Sequence, residues 1–366
     1  MKLSSVVKFW ALGLLILNVQ FLSAGQVGPG MISLRESILE NTASEEQVIK
    51  PQSIASPMER PAGAYQSAAW ATVQPSLAIL PDIEGRPGGI AVLINKEGHF
   101  LAHISSISYE PLTATLNNGK TVKLGRLAYD RETQLVLLGA YEWDEPNRRP
   151  IRVARDQKTG EVMVATVNGP VKGDITSQNR PGLFYPSQRY VPLSEIQMEA
   201  RDYPVGGAVL FTNAGDLVGI LGATLAVDRA LPGQGTSRFQ NVGGFGPQGL
   251  TIGYALGAKI LSRVVDGFLE PDHVVDHPTI GIYFRAGTNP LEIIVDRLIP
   301  DGPADKAGLK AGDVILAANG TKVDNVLGFA SYLFELTPGE TLKLKIRRGP
   351  SEKEIEVKVA VQDPDL

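Results

Sequence analysis

The sequence predicts a mainly β protein that ends in a smaller α+β domain. Three observations support this prediction. Glycine (39) and proline (25) together make up 64 of the 366 residues, a larger share than the roughly 12% of average usage, so the chain is rich in turns. Short apolar runs alternate with turn residues from about position 68, which is typical of barrels and sandwiches. After position 278, strand patterns are interleaved with helical ones.

Composition excludes several classes of protein. The apolar fraction of 43% is sufficient for a hydrophobic core, so the chain is not globally disordered. The formal net charge of -4 argues against a nucleic-acid partner, which requires a basic face. There is no cysteine, so disulfides, thiolate metal sites and a cysteine nucleophile are all excluded. We expect no cofactor, and a histidine-dependent mechanism has only four candidates: His99, His103, His273 and His277.

The N-terminal residues have the pattern of an export signal. Lys2 and Lys8 precede and flank an apolar run over residues 9–17, and the small residues 23–25 follow it. We expect a signal peptide over 1–25 that is cleaved near Gly25, which places the protein in the periplasm or cell envelope. The alternative is an uncleaved membrane anchor, but the apolar run is short for a span of about 20 residues. Residues 26–65 lack periodicity and predict a flexible segment.

The middle of the chain predicts a domain of short strands over 66–270. Lys96-Glu97-Gly98, Asn117-Asn118-Gly119 and similar turn signals separate the apolar runs. A helix over 257–269 closes the domain, since its apolar residues recur at helical spacing. The strands are predicted over residues 77–80, 89–94, 100–104, 113–116, 122–124, 135–138, 162–167, 208–211 and 217–221.

The region over 278–362 carries the most specific pattern. Residues 300–320 predict a helical turn ending at Gly308, a turn at 311–313 and a strand over 314–317. Asn319-Gly320 supplies the positive φ angles of a tight hairpin. A helix over 326–336 and strands over 341–347 and 355–361 follow. These elements, in this order, resemble a bacterial PDZ domain.

The PDZ resemblance implies a peptide-binding groove. In that family a loop ahead of a strand binds a peptide C-terminus, and Thr279 to Phe284 is the matching text here. Backbone N–H groups near a glycine can hold a carboxylate, and the strand edge can pair with an extended peptide. The alternative is that the same apolar side chains fill the core of the small domain. The candidate groove residues are Ile280, Gly281, Ile282, Phe284, Val326, Ala330 and Leu333.

Three upstream segments resemble the HtrA/Deg serine proteases. They are residues 89–101, which look like the strand pair before that family's histidine, residues 215–220, and residues 252–269. The resemblance implies a two-barrel, trypsin-like domain over 66–270, a linker over 271–277 and the PDZ domain. It also implies homo-trimers or mixed assemblies with active relatives.

The same resemblance locates the three triad positions, and each holds the wrong residue. Ser105 stands at the histidine position, Gln134 at the aspartate position and Gly206 at the serine position. Pro204, two residues before Gly206, has no N–H to donate to an oxyanion. Acyl transfer requires a nucleophile, a base and a group that orients the base, so the sequence predicts a pseudoprotease.

Two further groups of residues could form a functional site. A rebuilt triad would use His103 as the base and Asp130 in place of Gln134, with a hydroxyl near the nucleophile loop. The available hydroxyls are those of Ser194, Tyr203 and Thr212. His273 and His277 lie four positions apart and could bind a metal on a helix. Prolines bracket that segment, which favours an extended, solvated interdomain linker and no metal site.

The sequence therefore predicts an exported pseudoprotease whose groove binds C-terminal or unfolded peptide segments, as an adaptor, sensor or chaperone in envelope quality control. One alternative is an active serine endopeptidase with a rebuilt site. Another is a structural envelope protein whose barrel binds a partner. No nucleic-acid partner is expected. Membrane attachment is expected only if the signal segment stays uncleaved.

Overall fold

The computed structural model describes residues 68–184, 189–199, 207–222, 244–245 and 251–362. The expectations for 1–65, and those for Tyr203, Pro204 and Gly206, lie outside these residues. Within the described ranges, no helix is long and apolar enough to cross a membrane.

The first six strands form a closed barrel in the order β1-β2-β3-β6-β5-β4. Successive side chains along a strand of this barrel alternate between two apolar cores. Ala78 and Leu80 point into the barrel, while Leu77 and Ile79 pack in the core between the two barrels, so β1 is buried along its whole length. The elements are α1 (Ala68–Val73), a 3-10 turn (Gln74–Ser76), β1 (Leu77–Pro81), β2 (Pro87–Leu93), β3 (His99–His103), a 3-10 turn (Ile104–Ser106), β4 (Leu112–Leu116), β5 (Thr121–Asp130) and β6 (Leu135–Ala140).

The next strands form a second barrel in the order β11-β10-β7-β8-β9-β13, closed by pairing of β11 with β13. The short β12 extends it beyond β13. Helix α2 (Ala258–Leu269) follows the last strand. Its apolar face packs into the core between the barrels, as its helical spacing predicts. The elements are β7 (Gly160–Thr166), β8 (Gly169–Phe184), β9 (Arg189–Met198), β10 (Val209–Phe211), β11 (Leu217–Leu221), β12 (Gly244–Phe245), β13 (Thr251–Gly257) and α2 (Ala258–Leu269).

All nine strands predicted in this part of the chain are present, each within a few residues of the expected bounds except β5, which is longer. The long hairpin of β8 and β9 was not predicted from the sequence. Pro181, Gly182 and Pro192 interrupt its pattern, and β8 carries polar residues on both faces. Strand pairing, rather than local propensity, therefore stabilises this hairpin.

The C-terminal domain has a six-stranded sheet in the order β15-β16-β17-β19-β20, with the short β18 paired to β17 outside this path. The predicted Asn-Gly turn is confirmed, with Asn319 at φ 47° and Gly320 at φ 79°. The elements are β14 (Pro278–Thr279), β15 (Ile282–Ala286), β16 (Ile293–Leu298), α3 (Pro303–Lys306), β17 (Val314–Ala318), β18 (Thr321–Lys322), α4 (Val326–Glu335), β19 (Thr341–Arg348), β20 (Ser351–Lys358) and β21 (Ala360–Val361).

Helix α4 joins this domain to the second barrel. Phe329 lies in the core of the C-terminal domain, whereas Phe334 lies in the core that the two barrels share. The helix also packs against β9. Arg263, on α2, donates hydrogen bonds to the carbonyl oxygens of Phe334 (2.9 Å) and Leu336 (3.1 Å). The end of α4 is therefore fixed to the barrel domain.

Candidate functional site

The end of β3 carries the residues closest to a catalytic arrangement. His103 is the last residue of β3, and Ser105 lies in the 3-10 turn that follows. The Nδ1 atom of His103 accepts a hydrogen bond from the backbone N–H of Ser105 (3.2 Å). Because Nδ1 is therefore an acceptor, the Ser105 hydroxyl, 2.7 Å away, donates to it. This arrangement caps the 3-10 turn and also resembles a serine–histidine dyad.

The environment of His103 makes it a weak base. Its side chain is 2% exposed, and burial lowers its pKa to about 4. The ring packs so closely on Gly222 that a Cβ atom there would lie 2.7 Å from it. Its Nε2 atom has no hydrogen-bond partner within the described ranges. The imidazole is therefore neutral at neutral pH, and no carboxylate of the described residues orients it.

Neither residue proposed for the aspartate side of the triad supplies a carboxylate to His103. Gln134 has a positive φ of 59°, and its carbonyl oxygen accepts the Ile104 N–H at 2.9 Å. Asp130, the proposed substitute, is bound elsewhere. Its carboxylate accepts hydrogen bonds from Thr133 and from His277, whose Nε2 atom is 2.8 Å away.

The candidate hydroxyls in the second barrel are also engaged. Ser194 is buried and bonded to Gln157, and the Thr212 hydroxyl accepts the Asp216 N–H at 3.1 Å. Neither shares a hydrogen bond with His103 among the described residues. Of the triad candidates that the structure describes, His103 and Ser105 are joined by hydrogen bonds.

One residue at this site was missed by sequence reasoning. Ser106 is buried between the two barrels, against Gly89 and Gly207. A Cβ atom at position 207 would lie 1.9 Å from the Ser106 hydroxyl oxygen, and Gly207 has φ 86°. A side chain at position 207, directly after the expected nucleophile position, would therefore clash with Ser106. No local sequence pattern indicates this contact.

The structure places β15 and α4, the two sides of the predicted groove, in contact with each other. Strand β15 pairs with β16 and is an edge of the sheet as described. The loop before it turns at Gly281, where φ is 71°. The Gly281 N–H donates to the Thr279 hydroxyl at 3.1 Å. An open strand edge after a glycine turn is the geometry that β-augmentation requires.

The predicted groove side chains differ in depth. Ile280 is buried in the domain core, and Ala330 is half-buried on α4. Phe284 contacts Phe329 edge-to-face, with ring centroids 5.0 Å apart. The remaining predicted groove side chains are partly buried against the same core: Ile282, Val326 and Leu333.

The two linker histidines do not form a metal pair. His273 is bonded to the Phe268 carbonyl (2.7 Å) and lies edge-on to His99, whereas His277 binds Asp130. The described ranges contain no group of three or more side chains placed to hold a metal. Residues 271–277 form neither helix nor strand, as a linker should. The expectation of a solvated linker is wrong for His277, which is buried because its ring enters the interface between the domains.

Comparison with known proteins agrees with this architecture. Residues 278–359 match the model of the PDZ domain family. A "Probable periplasmic serine endoprotease DegP-like" of Halomonas elongata is 25% identical over 295 residues, covering 75% of this chain and 57% of that protein. The "Serine endoprotease DegS" of Salmonella typhimurium is 24% identical over 300 residues, covering 77% of this chain and 78% of the relative.

Solved structures show the same fold. The HtrA-type protease AlgW with decapeptide has a TM-score of 0.55 at 21% identity, covering 81% of this chain and 98% of that one. The serine endoprotease from Yersinia pestis gives a TM-score of 0.52 at 21% identity, covering 81% and 97%.

The two closed barrels and the domain that follows them define a trypsin-like double barrel with a C-terminal PDZ domain. More particularly, the chain is HtrA-like, with the architecture of the DegP-like and DegS serine endoproteases.

Proposed function

We propose that this chain is an exported pseudoprotease that binds C-terminal or unfolded peptide segments in its PDZ groove. It acts as an adaptor, sensor or chaperone in envelope protein quality control. The observation that carries the proposal is an HtrA-like frame in which Ser105 and Gln134 occupy the histidine and aspartate positions. Gly206 has no side chain to attack a carbonyl, and Ser105 is no general base at neutral pH.

The peptide-binding part rests on the groove. Phe284 on β15 and Leu333 on α4 are partly buried apolar side chains that suit contact with an apolar C-terminal side chain, and the open edge of β15 suits an extended backbone. The structural neighbour AlgW was solved with a decapeptide and with a tripeptide. Relatives named as periplasmic support a location in the periplasm or envelope. Removal of the signal peptide near Gly25 is part of this proposal. A homo-trimer, or an assembly with active relatives, is part of this proposal.

Groove binding is tested with decapeptides that end in a free carboxylate after Val, Leu, Ile or Phe. Fluorescence anisotropy of labelled peptides should show binding that is lost when the C-terminus is amidated. Ala330→Trp fills the cleft and should abolish binding. Lys353→Trp adds the same side chain on the exposed surface of β20 and is the matched control. Equal binding by both variants would refute the groove assignment and favour the structural envelope protein.

A second candidate, a serine endopeptidase with a rebuilt site, is favoured by one contact. The Ser105 hydroxyl lies 2.7 Å from His103 Nδ1. Degradation of unfolded casein by the purified protein, absent from a mock purification and lost in both Ser105→Ala and His103→Ala, would establish this candidate. We expect no cleavage, because burial lowers the pKa of His103 to about 4.

A further inference from the structure

The strongest unassigned feature is a buried polar pair between the first barrel and the start of the PDZ domain. Asp130 is 7% exposed and His277 is 6% exposed. The Asp130 carboxylate accepts hydrogen bonds from the Thr133 hydroxyl and the Glu132 N–H. His277 donates from Nε2 to the same carboxylate at 2.8 Å. These donors fix the carboxylate in one orientation.

His277 is held on its other sides as well. Its ring lies tilted against Phe334 of α4, with centroids 5.3 Å apart. Its carbonyl oxygen accepts the Gln362 N–H at 2.8 Å, next to β21, which pairs with β14. We name Asp130, Thr133, His277 and Phe334 the His277 clamp. It joins the first barrel, the linker and the PDZ domain at one point.

The clamp lies next to the peptide-binding loop. His277 is two residues before Thr279, whose hydroxyl accepts the Gly281 N–H. Two residues span at most about 7 Å, so a shift of His277 is transmitted directly to the loop. Asp130 is four residues before Gln134, in the segment that resembles the aspartate motif of the proteases. In this chain the segment contacts the start of the PDZ domain through the hydrogen bond between Asp130 and His277.

We propose that the His277 clamp positions the loop over residues 279–282 and so sets the affinity of the groove for peptide. This inference rests on the proposed function. His277 and Asp130 are positioning residues that do not touch the peptide. A buried carboxylate tolerates the loss of its donor poorly, because no water replaces the lost hydrogen bond. Loss of the His277 donor therefore frees the linker from the barrel and loosens the loop that follows it.

The experiment compares His277→Phe, which keeps a ring but removes the donor, with His277→Gln, which keeps a donor. The probe is the set of carboxylate-ended decapeptides, used on the full chain. We expect His277→Phe to weaken binding about tenfold, within the usual range of coupling between sites. His277→Gln should bind more tightly than His277→Phe. Asp216→Asn is the control, since it disturbs an ion pair with Arg152 on the second barrel.

Hydrogen exchange without peptide gives an independent measurement. Amides 279–284 should exchange about tenfold faster in His277→Phe, in line with the loss in affinity, while those of β17 (Val314–Ala318) stay unchanged. Unchanged exchange in β17 also shows that the domain is folded. Should His277→Phe unfold, Asp130→Asn, which removes the charge and replaces one acceptor oxygen with an NH2 group, is measured in its place and should give the same two changes to a smaller extent.

The outcomes separate the two proposals. If the wild type binds no peptide, the proposed function fails, while exchange still tests the clamp. If the wild type binds peptide and His277→Phe matches it in affinity and exchange, the clamp is refuted and the proposed function stands. If His277→Gln is as impaired as His277→Phe, hydrogen bonding to Asp130 is not the cause, and the clamp is refuted as well.

Discussion

Acid should destabilise the barrel domain through one buried histidine. The ring of His103 lies between β3 and Gly222 and accepts two hydrogen bonds from Ser105. Burial lowers its pKa from 6.5 to about 4, because a charged imidazole would lose its hydration there. The substitution His103→Asn keeps a side-chain acceptor for the Ser105 N–H and does not titrate. The perturbation therefore removes the proton-binding group and preserves the cap.

The direction of the pH effect on stability follows from which state, folded or unfolded, binds the proton more tightly. Below pH 6.5 the unfolded chain protonates His103, whereas the folded chain stays neutral until about pH 4. The folded state therefore loses stability as pH falls through this window and retains it fully above pH 6.5. The two pKa values differ by about 2.5, and at about 1.4 kcal/mol per pH unit this gives roughly 3 kcal/mol across the window.

Tryptophan fluorescence during urea unfolding measures this loss. Beyond the expected signal peptide the only tryptophans are Trp70 and Trp143, both in the barrel domain, so the PDZ domain is silent. The free energy of unfolding is compared at pH 7.5 and 4.5 for the wild type and His103→Asn. His103→Asn lowers stability at both values because it leaves a cavity, but its pH dependence should be smaller by roughly 2–3 kcal/mol. Equal pH dependence in the two proteins would refute the reasoning.

Three further predictions concern the rest of the chain. Phe334→Ala should cost about 3–5 kcal/mol at the contact between the domains, seen as faster proteolysis in 271–277; unchanged cleavage would contradict it. Gly281→Ala forces a side chain into a positive φ with a Cβ 3.2 Å from the Pro303 ring, so peptide affinity and melting temperature should both fall, with about 1–2 kcal/mol of strain. Arg348→Met should destabilise the PDZ domain, since it removes the ion-pair partner of the buried Asp313 carboxylate; hydrogen exchange of the β19 amides in the full chain measures this, and Asp313→Asn in the same background should recover part of the loss.

Local sequence specifies much of this fold because the signals are short in range. Asn319-Gly320 favours positive φ angles through the local preference of these two residues, and the apolar residues of α2 share one face through helical spacing. The positions that resemble the protease triad could also be proposed without coordinates, because Ser105 and Gln134 lie in segments with recognisable order. The β8–β9 hairpin could not, since its stability comes from strand pairing and from contact with α4.

The sequence by itself therefore determined that the chain has no cysteine thiol, and it predicts the loss of the triad side chains, since both are matters of composition and order. Only the tertiary structure decided what the remaining polar groups do. His277 and Asp130 are 147 positions apart, and no pattern around either residue marks the other as its partner. Their pairing depends on how the PDZ domain packs on the barrels, because a buried hydrogen bond forms only where long-range packing brings donor and acceptor together and excludes water.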